Sequence, residues 1–142
     1  MQGKGQATEK EKMTLKGMRF LIADDNDLNA EILEELLKME GADCDRAVNG
    51  KEAVEMFARA EEGRYNIILM DIKMPVMNGY DATKEIRRLE KKEAAKIPIF
   101  AMTANAFAED IRTCMEAGMD AHIAKPVDLD LLEENIRIYM QA

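Results

Sequence analysis

Asn66-Ile67-Ile68-Leu69-Met70-Asp71-Ile72-Lys73-Met74-Pro75 is the stretch that decides the fold. Residues 67–70 are an unbroken apolar run, without the polar alternation of a strand that faces water on one side. Such a run reads as a strand buried on both faces, as in a parallel sheet covered by helices. It ends on Asp71, and Met74-Pro75 and Asn78-Gly79 follow as loop and turn signals. A carboxylate therefore stands at the C-terminal end of a central strand, the edge of an open α/β sheet where ligands bind. Aspartate after a strand is also a common turn starter, so the rest of the chain has to decide between the two readings.

The same strand–turn–helix pattern recurs outward from this stretch. Residues 18–23 read as a first strand ending in Asp24-Asp25, with Asn26 or Asp27 placed to cap a helix. Leu28, Ile32, Leu33, Leu36, Leu37 and Met39 recur at helical spacing up to Gly41. Residues 43–48 make a short second strand of mixed polarity, suited to a sheet edge. After Asn49-Gly50 comes a second helix with Ala53, Val54, Phe57 and Ala60 inward, ended by Gly63. A third helix over 80–89 turns Ala82, Ile86 and Leu89 inward, and the charged stretch 87–96 reads as solvated. Residues 97–102 form a fourth strand ending at Thr103, 106–117 a fourth helix stopped by Gly118, and 121–124 a fifth strand ending in Lys125-Pro126. Leu129, Leu132, Ile136 and Tyr139 mark a last helix. Alternation of this kind implies an α/β fold: a parallel sheet with helices on both faces and right-handed crossovers. One domain is expected over 18–142. Residues 1–17 are polar and aperiodic, and read as a flexible tail or linker remnant.

The totals set bounds on function. With 142 residues and 47% hydrophobic content the chain is long and apolar enough for one real core. A net charge of −8 argues against direct nucleic-acid binding, which needs a basic face. No apolar run is long enough to span a bilayer, and the leader lacks the apolar core of a signal peptide, so a cytoplasmic setting is expected. Cys44 and Cys114 have no metal-ligand or CxxC spacing and read as buried or half-buried free thiols in a reducing compartment. A lone His122 builds no histidine metal site by itself.

The strand ends carry the chemistry. The first offers Asp24 and Asp25, the third Asp71, the fourth Thr103 and the fifth Lys125. In a flavodoxin-like strand order, 2-1-3-4-5, these ends would converge on one pocket. Clustered carboxylates shift one another's pKa unless a cation compensates. Mg²⁺ (or Mn²⁺) suits such a site, because it takes one or two carboxylates and leaves room for phosphate oxygens. Thr103 and Lys125 supply a hydroxyl and a point charge for a phosphoryl group. Asp71, on the central strand, is then the nucleophile that would form an aspartyl phosphate, with Asp24-Asp25 as the metal pair.

Taken together and in order, Asp24-Asp25, Asp71 with Met74-Pro75 and Asn78-Gly79, Thr103-Ala104 and Lys125-Pro126 resemble the receiver domain of two-component response regulators. The resemblance covers roughly residues 19–140. It implies the doubly wound, five-stranded 2-1-3-4-5 sheet in a three-layer α/β/α arrangement, and Mg²⁺-dependent transfer from a partner's phosphohistidine. By position it makes Asp71 the phosphoacceptor, Asp25 the direct metal ligand, and Asp24 a ligand acting largely through water. Lys73 would offer its backbone carbonyl to the metal, and Thr103 and Lys125 would hold the phosphoryl oxygens. The Lys125–Pro126 bond is expected to be cis, a form tolerated before proline. Thr103 and His122 would form a switch read out between the fourth and fifth helices, although His122 also reads as a partly exposed surface histidine. Lys73 and Asn105 occupy positions that tune hydrolysis of the phosphoaspartate.

The wording Asp25-Asn26-Asp27-Leu28-Asn29 with residues 101–107 resembles receivers of hybrid sensor histidine kinases, so the chain is expected to be part of a longer, membrane-anchored kinase. A stand-alone regulator acting by protein contact is the alternative. The partner implied is a histidine kinase or histidine phosphotransfer domain, with no direct nucleic-acid or membrane contact, in a monomer or weak dimer. Such a domain is no ordinary enzyme, though it catalyses its own phosphorylation and dephosphorylation. Two rivals come from other classes. An aspartyl-nucleophile phosphatase would use Asp25 and Asp27 but lacks a substrate-enclosing cap. A flavodoxin-like cofactor binder would need a phosphate loop where Asp24-Asp25-Asn26-Asp27 repels phosphate. Ile72, Met74, Val76, Met77 and Leu28 are the expected apolar contacts for a donor docking over Asp71, with loop packing as the other reading of Met74 and Met77.

Overall fold

Two of the apolar runs become strands with every residue buried, Ile67–Asp71 and Ile99–Thr103. The computed structural model describes residues 15–104 and 108–140. Within them the strands are β1 (Arg19–Ala23), β2 (Asp43–Ala47), β3 (Ile67–Asp71), β4 (Ile99–Thr103) and β5 (Ala121–Ala124). The helices are α1 (Asp27–Met39), α2 (Gly50–Arg59), α3 (Gly79–Arg88), α4 (Ala108–Ala117) and α5 (Leu129–Met140). All strand pairs are parallel, in the order β2-β1-β3-β4-β5, which is the doubly wound order expected. The polar-mixed strand β2 lies at an edge, as its composition suggests.

Alternation along the strands divides the core into two layers. Leu21, Ala23, Ile68, Met70, Ile99 and Ala101 face α2, α3 and α4 through Phe57, Ile86 and Cys114. Phe20, Ile22, Ile67, Leu69, Phe100 and Met102 face α1 and α5 through Leu33, Leu37, Leu132 and Ile136. Helix starts are set by asparagines. Asn26, rather than Asp27, caps α1 by accepting from Asn29 N at 2.9 Å. Asn49 and Asn78 do the same for α2 and α3. Both cysteines are thiols, Cys114 buried and Cys44 half-buried. Burial pushes the Cys44 thiol up to about 11, so it is a poor nucleophile at neutral pH.

Several expectations need correction. Leu15 is fully buried among the residues of the α1 layer. Gly17 N donates to Gly41 O at 2.9 Å, so the packed chain reaches back to Leu15 rather than starting at Met18. A single leucine in a charged leader gives no periodic signal. Residues 1–14 lie outside the described residues, as do Asn105, Ala106 and Phe107. On α1 Leu33 and Leu37 are buried with Ala30, while Ile32 and Met39 are exposed, as is Leu28, the residue expected to meet a docking partner. Tyr139 is also exposed on one side, although its ring meets Phe100 edge-on at 5.6 Å.

The largest correction concerns the charged stretch 87–96, at the end of α3 and beyond it. Arg87 is not solvated: its guanidinium donates to Gly118 O, Ala94 O and Ile97 O and to the Asp120 carboxylate, at 2.8–3.0 Å. Lys91 Nζ donates to Phe57 O at 2.6 Å and Ala60 O at 2.7 Å, and sits 4.6 Å from the Phe57 ring centroid. These cations terminate backbone carbonyls that the helix ends and loops leave unpaired. Arg87→Met keeps the stem and removes the donors, leaving half-buried acceptors unmet. Urea unfolding should show a loss of about 2–3 kcal/mol, against under about 0.5 kcal/mol for Arg88→Met on the exposed face. Equal, small losses would mean that the bonded carbonyls are equally well served by water.

Candidate functional site

Strand register decides which polar side chains meet. Ala23 pairs with Met70, so Asp24 is level with Asp71. Asp71 pairs with Met102, which puts Thr103 one residue further along. Thr103 pairs with Ala124, so Lys125 follows one step beyond, its N–H donating to Thr103 O at 2.9 Å. The strand ends therefore converge at the centre of one sheet edge.

One oxygen each from Asp24, Asp25 and Asp71 lies within 4.8 Å of the others. Asp24 and Asp71 are buried and Asp25 is exposed. Lys125 Nζ stands 3.2 Å from Asp24 Oδ2 and 3.2 Å from Asp71 Oδ2. Burial pushes the Asp71 carboxyl above its ordinary value. Lys125 opposes that rise, and Asp24 and Asp25 add to it. Burial works against the Lys125 ammonium, yet Asp71 and Asp24 together hold it above the ordinary lysine value. Three carboxylates against one ammonium leave the pocket electronegative. All its donors are hard oxygens, a set that suits a hard divalent cation.

The turns around the pocket are tied down by backbone. Asn26 N donates to Asp24 Oδ1 at 2.9 Å, and Asp24 N to Ala47 O at 3.1 Å. After Asp71, Gly79 N returns to Ile72 O at 2.8 Å and Gly50 N reaches Met77 O at 3.0 Å. A Cβ on Gly79 would run into Asp71 O, and one on Gly50 into Met77 O. Sequence reading took Asn49-Gly50 and Asn78-Gly79 as turn signals only. Each also joins a helix cap to a close backbone approach, and the repeated Asn-Gly pair was the available signal.

The other expected residues fall as follows. Thr103 is buried at the end of β4, and His122 is half-buried on β5, opposite Ala101. By alternation Thr103 and His122 emerge on the same sheet face of adjacent strands. Lys73 is exposed two residues beyond Asp71, and the Lys125–Pro126 bond is cis. Asn105 lies outside the described residues. Asp27, the second acid a phosphatase would need, instead pairs with Arg46 at 2.8 Å with its side chain 83% exposed. Among the expected docking residues Ile72 is buried, a correction that follows from its place at the end of β3. Val76 and Leu28 are exposed, and Met74 and Met77 pack partly against the core. Leu28 and Ile32 stand out from α1, and Ile32, Leu36, Pro126 and Val127 line an apolar groove that leads to Asp24 and Lys125. Among the described residues no helix is long and apolar enough to cross a membrane.

Comparison with known proteins agrees with this fold. Residues 20–137 match the response regulator receiver domain family. The chain is 37% identical over 117 residues to the peroxide stress-activated histidine kinase mak1 of Schizosaccharomyces pombe, covering 82% of this chain but 7% of that protein. It resembles the receiver domain of the sensor histidine kinase PA1611 from Pseudomonas aeruginosa, solved with a magnesium ion coordinated in the active site cleft, with a TM-score of 0.77 and 34% identity over 89% of this chain and 99% of that one. A chain from the Saccharomyces cerevisiae complex of the histidine phosphotransfer protein Ypd1 with the receiver domain of Ssk1 gives a TM-score of 0.78 and 32% identity, over 92% of this chain and 94% of that one.

The carboxylate crowding has a measurable consequence. An acid held above its ordinary pKa weakens the fold once ionised, so its cost is absent at low pH and complete above the folded pKa. Asp71→Asn removes one negative charge and leaves Asp24 to pair with Lys125. In chelator-treated protein near pH 8, the variant should be more stable by about 1 kcal/mol, the usual scale for relieving one unfavourable interaction. The advantage should shrink as pH falls through the carboxylate range. A variant less stable than wild type at pH 8 would show that the Lys125 pairing outweighs the repulsion.

Proposed function

Because this chain belongs to the response regulator receiver domain family, we propose that it takes a phosphoryl group from a partner's phosphohistidine onto Asp71 and relays the change through protein contact. The observation that carries this reading is the meeting of Asp24, Asp25 and Asp71 with Lys125 at one sheet edge. Asp71 is the acceptor: it closes the central strand level with Asp24, and Lys125 Nζ stands 3.2 Å from its Oδ2. Asp24 and Asp25, with Asp71 and the Lys73 carbonyl, would hold Mg²⁺ or Mn²⁺. When bound, that cation supplies neutralising charge for the carboxylates and the incoming phosphoryl oxygens.

The transfer breaks the P–N bond of the donor imidazole and forms a P–O bond to an Asp71 carboxylate oxygen. The imidazole nitrogen leaves with the electron pair. Lys125, now paired with Asp24 and Asp71, is positioned to follow the new charge onto a phosphoryl oxygen. The Thr103 hydroxyl donates a hydrogen bond to another. Positioning and charge neutralisation of this kind are how phosphoryl transfer is generally assisted. Movement of Thr103 frees room on the sheet face it shares with His122, which is the switch we assign. The outer faces of α4 and α5 carry exposed Ile111, Met115, Leu131 and Ile138, apolar surface on which the change can be read.

The chain spans 7% of the length of the mak1 kinase it matches. We read it as the receiver segment of a hybrid histidine kinase of that kind, with a histidine phosphotransfer domain as its partner. The exposed Leu28 and Ile32 beside the groove leading to Lys125 support docking over α1, where an apolar helix face would align a phosphohistidine with Asp71.

Two experiments test the reading. Intact mass after incubation with acetyl phosphate should rise by one phosphoryl group in wild type with Mg²⁺. It should not rise with a chelator or in Asp71→Asn. No rise under any condition would make the domain a constitutive binding module. Leu28→Asp should slow transfer from a cognate phosphotransfer domain about tenfold or more, as loss of a central apolar contact does, while labelling by acetyl phosphate stays at the wild-type rate. Unchanged transfer would remove α1 from the docking surface.

A further inference from the structure

We infer that Arg46 is a positioning residue that sets the divalent-cation preference of the acidic pocket through the backbone of Asp24. Arg46 lies on β2, one strand away from the strand that carries the acidic pair, and is opposite Ile22 in register. Its side chain is 18% exposed. Two of its nitrogens converge on one acceptor: Nε and Nη2 donate to the Asp24 carbonyl at 3.0 and 2.8 Å. The third, Nη1, donates to Asp27 Oδ1 at 2.8 Å. The guanidinium thus spans the turn that carries Asp24 and Asp25, from its first residue to the first residue of α1.

The forked geometry matters more than the charge. A carbonyl held by two donors of one rigid plane cannot rotate freely, whereas a lysine ammonium would supply a single flexible contact. The peptide plane fixed by that carbonyl is the one that leads from Asp24 into Asp25. Together with Asp24 N on Ala47 O and Asn26 N on Asp24 Oδ1, the clamp fixes the turn at its carbonyl, amide and carboxylate. Mg²⁺ demands near-ideal octahedral geometry at short distances, while Ca²⁺ accepts irregular sets of oxygens. A turn fixed at three points favours the more demanding ion. The Asp27 arm is exposed and contributes little, so the effect runs through the Asp24 carbonyl.

The inference rests on the metal-binding reading above, and the test separates the two. Mg²⁺ and Ca²⁺ are each titrated by calorimetry into wild type, Arg46→Lys and Arg46→Gln, with urea unfolding run alongside to confirm folded protein. Positioning predicts that both variants lose Mg²⁺ affinity about tenfold, the scale for removing a group that orients a ligand. Ca²⁺ affinity should change about threefold or less, so that selectivity falls. A merely structural arginine would lower stability without changing the ratio of the two affinities, and that result overturns the inference. If Arg46 acted only as a nearby positive charge, Arg46→Gln would bind both ions more tightly and Arg46→Lys would match wild type, which also overturns it. Absence of binding to wild type would overturn the metal-binding reading itself and this inference with it.

Discussion

Lys125 holds two carboxylates that would otherwise repel each other across a buried sheet edge. Unit charges about 5 Å apart interact by roughly 3 kcal/mol at an effective dielectric near 20. Asp24, Asp25 and Asp71 lie within that range of one another, and no arrangement of three such groups is stable without a counter-charge. One ammonium, 3.2 Å from both buried acids, offsets part of the repulsion. Burial first, and the remaining repulsion after it, leave Asp71 resisting ionisation. That residual charge makes the pocket receptive to a hard cation, whose binding would relieve what folding alone does not.

The constraint depends on the sheet. Parallel pairing puts Asp24 level with Asp71, Thr103 one step further and Lys125 one step beyond that. A slip of one residue in any pair would turn an acid or the lysine to the opposite face. Register is held by the two apolar layers, whose alternating residues allow no such slip. The turns that follow the strands are held by backbone contacts at Gly50, Gly79 and the Asp24 amide. The glycines are required there because any side chain would displace the carbonyl of Asp71 or of Met77.

How much of this was legible in the sequence follows from which signals are periodic. The strands β3 and β4, their polar ends and the Asn-Gly turns stand out because apolar runs and turn residues report local structure directly. The inward face of α1 was harder. Leu28 and Ile32 fit the helical period as well as Leu33 and Leu37 do, and only the tertiary packing shows which stripe is covered. Leu15 was missed because one apolar residue among charges has no period. Arg87 and Lys91 were misread as solvated because charge predicts exposure until a neighbouring chain presents unpaired carbonyls. Arg46 gave no signal either, since its acceptors are a backbone oxygen and an acid 22 and 19 residues away.

These misread cations expose a division between the two ends of the sheet. Toward the N-terminal ends of β4 and β5, charges meet partners: Arg87 closes three carbonyls from two segments, and Asp120 accepts from Ile99 N. At the C-terminal ends, like charges are crowded and one acid is held away from its preferred state. Favourable pairing is concentrated toward one edge of the sheet, and unfavourable charge at the other. Since the two sets share no residue, they are separated by the length of the strands and act as nearly independent sites. The fold can therefore tolerate a poorly balanced pocket, because the opposite edge does not depend on it. If α1 docks the donor and Arg46 positions the acidic turn, changes to the outer surface of α1 or to the turn after β1 would alter partner choice or ion preference without loosening the core.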